Sequence, residues 1–204
     1  IDGKGHQYHN GHEGTNASWA FARILSYDAS PKQMSLTSDA TDAYQLVNDD
    51  VQRVVRSVLF LKPEVFIILD SVSMNTSTPK VQARFQVFND DKHGSVAATG
   101  SEFRIDRPGV SLLCRVQAAN AFTVRTGKLA LPEDLGIYPY AEVESSGAQA
   151  HQILTVCTVQ QGDAPHGRLE ITRDQSRWSV NGTHGPMRVA ITIDASGEIP
   201  RFIL

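Results

Sequence analysis

The side chains best suited to chemistry lie close together at the start of the chain. His6, Tyr8, His9, His12 and Glu13 all fall within one segment, residues 1–15, whose glycines and lack of a hydrophobic period predict a loop. Imidazoles bind metal ions and transfer protons near neutral pH. The spacing matches no metal-binding signature, but His9, His12 and Glu13 carry suitable donor atoms and are candidate metal ligands. A polar loop at the edge of a cleft and an ordinary surface loop are the alternatives.

A second set of candidates lies on one face of a predicted strand. Val81–Phe88 alternates between apolar and polar residues, which is typical of a strand with one exposed face. Gln82, Arg84 and Gln86 share the polar face. Amide and guanidinium groups suit the hydroxyl and carboxylate groups of a carbohydrate, so these three residues are candidate substrate contacts. A solvated face is the alternative.

Aromatic residues supply a third set. The long predicted loop Leu131–Tyr140 presents Tyr138 and Tyr140, which are also candidate substrate contacts. Trp19 belongs to the predicted strand Ser18–Tyr27, where it could stack against a sugar or pack in the core.

The scaffold for these side chains is organised around the stretch Val51–Ser73. Apolar and β-branched residues fill it on both sides of Pro63, which cannot donate to a ladder and favours a turn. Val65–Leu69 is apolar at every position, which predicts a strand covered on both faces. Counting outward from a short loop puts Arg56 opposite Asp70, and we predict a salt bridge between them.

Short strand-like segments fill most of the remaining chain, at intervals of roughly eight to twelve residues. Asn181-Gly182 is a strong hairpin-turn signal between two of them. The best helical candidate is Asp39–Asn48, which Asp39 could cap. We therefore predict an all-β fold: an antiparallel β-sandwich with little helix, formed by residues 1–204 as a single domain.

The composition limits the function classes. A net charge of -3 argues against a general nucleic-acid binder, and no apolar run approaches the length of a membrane span. Because the chain begins with Ile1, we expect a piece of a longer protein. Cys114 and Cys157 lie in apolar strand-like runs, so they are either buried free thiols or, if the strands are neighbours, one disulfide.

Two stretches resemble the heparinase II/III-like polysaccharide lyases. The opening Ile-Asp-Gly-Lys-Gly-His is similar to a Val-Asp-Gly-Lys-Gly-Gln segment of that family, from which His6 departs. From Asp39 to Asp70, the order Asp-Ala-Thr, Ala-Tyr, Val, Arg, Val, Phe, Lys-Pro, Phe and Leu-Asp also resembles the family's pattern. The resemblance covers about the first 75 residues; beyond them only the strand-like character is shared.

The resemblance implies the C-terminal β-sandwich part of a lyase whose N-terminal part is an α/α toroid domain. It implies β-elimination in an anionic, uronate-containing polysaccharide, such as alginate or a glycosaminoglycan, in the periplasm or outside the cell. The family's main catalytic residues and its zinc-like divalent metal would precede Ile1, so we expect this part alone to be inactive and without a cofactor. Tyr8 with His6 or His9 has the residue types to assist catalysis.

Two other functions fit the sequence. A stand-alone carbohydrate-binding module would present Trp19, Tyr138 or Tyr140 as exposed, coplanar rings. A structural or interaction sandwich would have no concave polar face and no affinity for sugars.

Overall fold

The chain folds almost entirely into β-strands. The computed structural model describes residues 1–6, 21–131, 136–162 and 164–204. Within these ranges the one α-helix, α1 (Thr41–Gln45), is far too short to cross a membrane. The strands are β1 (Arg23–Ala29), β2 (Gln33–Asp39), β3 (Val51–Leu61), β4 (Val65–Met74), β5 (Val81–Gln86), β6 (Ser95–Thr99), β7 (Glu102–Arg107), β8 (Val110–Ala118), β9 (Phe122–Lys128), β10 (Pro139–Ser145), β11 (Ala150–Gln161), β12 (Arg168–Asp174), β13 (Arg177–His184), β14 (Met187–Asp194) and β15 (Arg201–Ile203). The predicted all-β fold with little helix is confirmed.

The strands form an antiparallel sandwich with a shared central sheet. This sheet has eight strands in the order β1-β2-β3-β4-β11-β8-β7-β6. A three-stranded sheet, β5-β10-β9, packs on one face through a core that includes Phe103 and Val143. A four-stranded sheet, β12-β13-β14-β15, packs on the other face through a core that includes Ile67 and Trp178. The two cores therefore lie on opposite sides of the central sheet.

The central hairpin β3–β4 has the predicted register. Arg56 lies directly opposite Asp70. Its Nε and Nη2 atoms donate to the two carboxylate oxygens of Asp70 at 2.6 and 3.0 Å. The predicted salt bridge is confirmed. It is bidentate, and this geometry fixes the orientation of the Arg56 guanidinium group.

The coverage of β4 differs from the prediction. Val65, Ile67 and Leu69 have no exposed surface and belong to the core under the four-stranded sheet. On the other face Phe66 packs against the first core, but Ile68 is only half-buried. The reason is that the three-stranded sheet contacts β6 and β7, at the far edge of the central sheet. The prediction that β4 is covered on both faces is therefore wrong at Ile68.

The predicted turn at Asn181-Gly182 is also wrong. Both residues lie inside β13, and the hairpin closes further along, where His184 pairs with Met187. Gly182 has a φ of +146, and a Cβ atom there would lie 2.0 Å from the carbonyl oxygen of Arg168. The absence of a side chain at Gly182 therefore allows β12 to approach β13 closely, and the residue does not form a turn.

Replacing this glycine is expected to be costly. We expect Gly182→Ala to lower the free energy of unfolding by about 2–3 kcal/mol, because the added Cβ meets backbone and φ is unfavourable for alanine. Gly185→Ala is the control, since Gly185 has a φ of +53 but no atom within 4 Å of a Cβ. Denaturant unfolding of both variants measures the difference. An equal loss of unfolding free energy in the two variants would show that the contact between the added Cβ and Arg168 does not cause the destabilisation.

The two cysteines are neighbours. Cys114 on β8 pairs directly with Cys157 on β11. Both are buried free thiols, with their sulfur atoms 2.8 Å apart. Burial raises the pKa of the Cys114 thiol, which keeps it protonated and unreactive. Of the two alternatives that the sequence leaves open, the structure contains the free thiols.

Candidate functional site

A groove lies beside the Arg56–Asp70 pair, on the face of the central hairpin that the three-stranded sheet leaves partly open. It encloses about 340 Å³, and its lining includes His6, Tyr44 and Gln82 as well as the ion pair. A second hollow of about 470 Å³ shares Tyr44 as a wall. Tyr44 thus lines both depressions, and we call the first of them the Arg56 groove.

Helix α1 positions Tyr44. The N-cap is Ala40, which makes no side-chain capping bond, so the prediction that Asp39 caps the helix is wrong; the Asp39 carboxylate lies one residue earlier and accepts a hydrogen bond from the Thr41 backbone N–H at 2.8 Å. The Thr41 hydroxyl in turn accepts one from the Val54 N–H at 3.0 Å, which ties the helix to β3. The sequence correctly predicts a short helix between Asp39 and Asn48, although only five residues of it are helical.

The segment 1–6 forms another wall of the groove. Asp2 exchanges two hydrogen bonds with Lys80, one from each backbone N–H and both at 2.8 Å. The backbone N–H of Gly3 donates to Oε1 of Gln82 at 3.0 Å. These bonds hold the irregular N-terminal segment against β5 and bring His6 to the rim of the groove.

The groove combines a fixed cation with a phenol and an imidazole. The charge of Asp70 raises the pKa of Arg56, with burial opposing it and Tyr44 adding to it, so the guanidinium stays charged. The rings of His6 and Tyr44 are 5.8 Å apart. Asp70 balances the charge of Arg56, so the groove offers a ligand carboxylate guanidinium N–H donors without a net positive charge, beside a phenol and an imidazole of the types that exchange protons.

The outward face of the three-stranded sheet carries a charged row. Arg84 on β5 and Arg125 on β9 both lie opposite Glu142 on β10. Nε of Arg84 donates to Glu142 at 2.5 Å, and Nε and Nη2 of Arg125 donate to it at 2.8 and 2.5 Å. The amide of Gln82 adds bonds to Glu142 at 3.2 Å and to Glu144 at 3.0 Å. We call this the Glu142 network.

The predicted aromatic contacts are not open platforms. Tyr140 lies on strand β10 rather than on a loop, and its ring rests so close to Gly127 that a Cβ there would be 2.5 Å from it. The guanidinium of Arg84 lies 4.9 Å from the centre of the same ring. Tyr138 donates its hydroxyl hydrogen to Asp90, and this bond raises the pKa of Tyr138.

The predicted residues therefore divide into three places. His6 lines the Arg56 groove, Gln82 lines the groove and also joins the Glu142 network, and Arg84, Gln86 and Tyr140 lie on the outward face of the three-stranded sheet. Within the described ranges no three His, Cys, Asp or Glu side chains come together as a metal site would require. Several candidates lie outside the described residues: Tyr8, His9, His12, Glu13 and Trp19.

Sequence reasoning missed Tyr44, Arg125 and Glu142 as site residues. In Pro139–Ser145 the acidic residues alternate with Ala141 and Val143, which indicates that they face away from the core. That alternation is the available signal, but it does not reveal which cations lie opposite them. The pairing depends on the strand order β5-β10-β9, which joins segments far apart in the chain.

The fold is similar to that of solved polysaccharide lyases. It aligns with a heparan sulfate lyase, HepC from Pedobacter heparinus, with a TM-score of 0.65 and 13% identity, over 87% of this chain and 28% of that one. The heparinase III encoded by BT4657 gives 0.57 and 14%, over 84% and 27%. Another heparinase III gives 0.54 and 12%, over 84% and 27%. No family model matches the sequence, and no curated protein matches it either.

These similarities define the fold class. The chain is an antiparallel β-sandwich with a structural relationship to the heparinase III and HepC lyases. It spans only 28% of the length of the heparan sulfate lyase, so that enzyme contains a large part with no counterpart here.

Proposed function

We propose that this chain is the β-sandwich part of a heparinase II/III-like lyase that cleaves an anionic, uronate-containing polysaccharide. One observation carries the proposal: 87% of the chain aligns with a heparan sulfate lyase at a TM-score of 0.65. The family-like sequence pattern between Asp39 and Asp70 supports it. That pattern covers α1, β3 and most of β4, which together form the wall of the Arg56 groove.

The proposed reaction is β-elimination. A base removes the proton next to the uronate carboxylate, the glycosidic C–O bond breaks, a carbon–carbon double bond forms, and the leaving oxygen takes up a proton. Neutralising the carboxylate makes the first step easier. The Arg56 groove offers a guanidinium for that carboxylate, with Tyr44 and His6 beside it. The main proton-transfer groups would come from the α/α toroid domain of the longer protein.

Two features of the longer protein belong to the same proposal. A periplasmic or secreted location would bring it to its polysaccharide. A divalent metal would be held by residues outside the described ranges, because within them no three His, Cys, Asp or Glu side chains form a ligand set.

The test is an assay of the full gene product. We expect it to release unsaturated uronate, detected by ultraviolet absorbance, from heparan sulfate, another glycosaminoglycan or alginate. No rise in absorbance with any of these substrates would contradict the proposal.

A variant of the full protein tests the groove. We expect Tyr44→Phe to lower kcat/KM by about tenfold or more, because a hydrogen bond to a charged group contributes about 1.5–3 kcal/mol. Tyr27→Phe is the matched control, since Tyr27 is exposed on the edge strand β1. Equal activity of the two variants would exclude a contact between the Tyr44 hydroxyl and the reacting sugar.

A further inference from the structure

The Glu142 network places a buried charge on an outward-facing surface. The side chain of Glu142 is only 1% exposed, although it points away from the core of the three-stranded sheet. The side chains that cover it are Arg84 and Arg125, which are 41% and 57% exposed. Hydrogen bonds hold both guanidinium groups to one carboxylate, so their positions are set before any ligand arrives.

The two arginines keep unused donors. Arg84 bonds to Glu142 through Nε alone, and the ring of Tyr140 lies beside its guanidinium. Arg125 uses Nε and Nη2 on Glu142, and Nη2 also reaches Glu144 at 3.2 Å. Both terminal nitrogens of Arg84 and Nη1 of Arg125 therefore have no hydrogen-bond partner among the described residues. The side chains that carry these nitrogens are both half-exposed.

The more exposed charges of the network favour an anion. Nζ of Lys80 lies 3.3 Å from a carboxylate oxygen of Glu144 and is the third cation beside the Glu142 network. The three cations are balanced by Glu142, Glu144 and the Asp2 carboxylate, which bonds to the Lys80 backbone, but Glu142 is buried beneath the arginines and the guanidinium groups are the more exposed charges. An approaching anion would meet the guanidinium groups first, and the planar arrangement of their N–H groups matches a carboxylate or a sulfate.

We propose that Arg84 and Arg125 form a binding site for a carboxylate or sulfate group of an acidic polysaccharide, next to the Arg56 groove, with which the Glu142 network shares Gln82. The choice of ligand rests on the proposed function; the site itself rests on the Glu142 network. Because Glu142 already orders both arginines, binding requires little further loss of side-chain freedom. The surface would hold the chain of the polysaccharide outside the cleft in which it is cut.

The first test uses the unmodified 204-residue chain. An arginine-selective reagent is applied with and without alginate or heparin oligosaccharides, and the modified residues are mapped by mass spectrometry. We expect the oligosaccharides to protect Arg84 and Arg125 but not Arg188, which is exposed on β14 of the four-stranded sheet. Alginate carries carboxylates alone and heparin carries both groups, so the two ligands distinguish the preferred anion. Equal modification with and without both ligands would overturn the proposal.

The second test measures affinity by calorimetry. We expect Arg125→Gln to weaken binding about tenfold, which corresponds to about 1.4 kcal/mol, and Arg188→Gln to leave it unchanged. A neutral cello-oligosaccharide should not bind. Equal weakening by both variants, or binding of the neutral sugar, would contradict the site. Thermal melting of each variant checks that it is folded, and the protection experiment does not depend on any variant.

The outcomes separate this site from the proposed function. Lyase activity of the full gene product without protection of Arg84 and Arg125 would refute the binding site alone. Protection without lyase activity would support the binding site and refute the proposed function.

Discussion

Replacing Arg84 and Arg125 together with methionine is expected to lower the free energy of unfolding by about 1–3 kcal/mol near neutral pH, because the buried Glu142 carboxylate then loses both charged partners while water reaches it from the half-exposed side of the network. Glu142 is 1% exposed and receives three hydrogen bonds from the two arginines. Gln82 is the remaining donor, at 3.2 Å, and it carries no charge. Denaturant unfolding measures the loss.

The loss should depend on pH in a defined direction. Burial alone would raise the pKa of Glu142, but the hydrogen bonds and charges of Arg84 and Arg125 bring it below the ordinary value. The native pair therefore stabilises the fold above the ordinary glutamate pKa, and this stabilisation is lost as the pH falls through the lowered pKa. In the variant only the uncharged Gln82 amide opposes the effect of burial, so the pKa of Glu142 rises. The difference in stability between the two proteins should therefore be largest near neutral pH and should shrink on acidification.

A third replacement serves as the control. Adding Glu142→Leu to the double variant removes the unpaired charge and places an apolar side chain between the two methionines. We expect this triple variant to recover most of the lost stability, because a buried ion pair replaced by apolar residues is often neutral in stability. A double variant as stable as the wild type, or a loss that does not change with pH, would show that Glu142 is not a buried charge.

Trp178→Ala is expected to cost about 3–5 kcal/mol, the usual range for removing a buried large aromatic side chain. Trp178 lies on β13 with no exposed surface, in the core that joins the four-stranded sheet to the central sheet. Its indole N–H donates to Gln152 on β11 at 3.1 Å, so the replacement also removes a bond between two sheets. The partly buried Gln152 oxygen would then lack this partner.

Tyr27→Ala is the matched control for Trp178. Tyr27 is another aromatic residue on a strand, but it is 63% exposed. Its replacement should change the free energy of unfolding by no more than about 0.5 kcal/mol, as is usual for surface positions. Chemical denaturation of both variants gives the comparison. Similar values for the two would contradict the packing of the four-stranded sheet described above.

Local patterns in the sequence predict the central hairpin, its register and most of the other strands, but they do not predict β2 or β15. The alternation in Val81–Phe88 correctly predicts which side of β5 faces the core, and the apolar run around Pro63 correctly predicts the hairpin β3–β4. Counting from the short turn gives the Arg56–Asp70 pair, because hairpin register follows from the turn and the two-residue period. These features involve residues close in sequence, whose geometry depends on few other parts of the chain.

Contacts between distant segments decided the rest. Asn181-Gly182 has the composition of a turn, but the approach of β12 requires glycine inside a strand there. Glu142 has the position of an exposed residue, and two arginines from other strands bury it. Ile68 belongs to an apolar run, but the three-stranded sheet packs elsewhere. The order of strands in a sheet depends on the total burial of the whole chain, which the period of one segment does not contain.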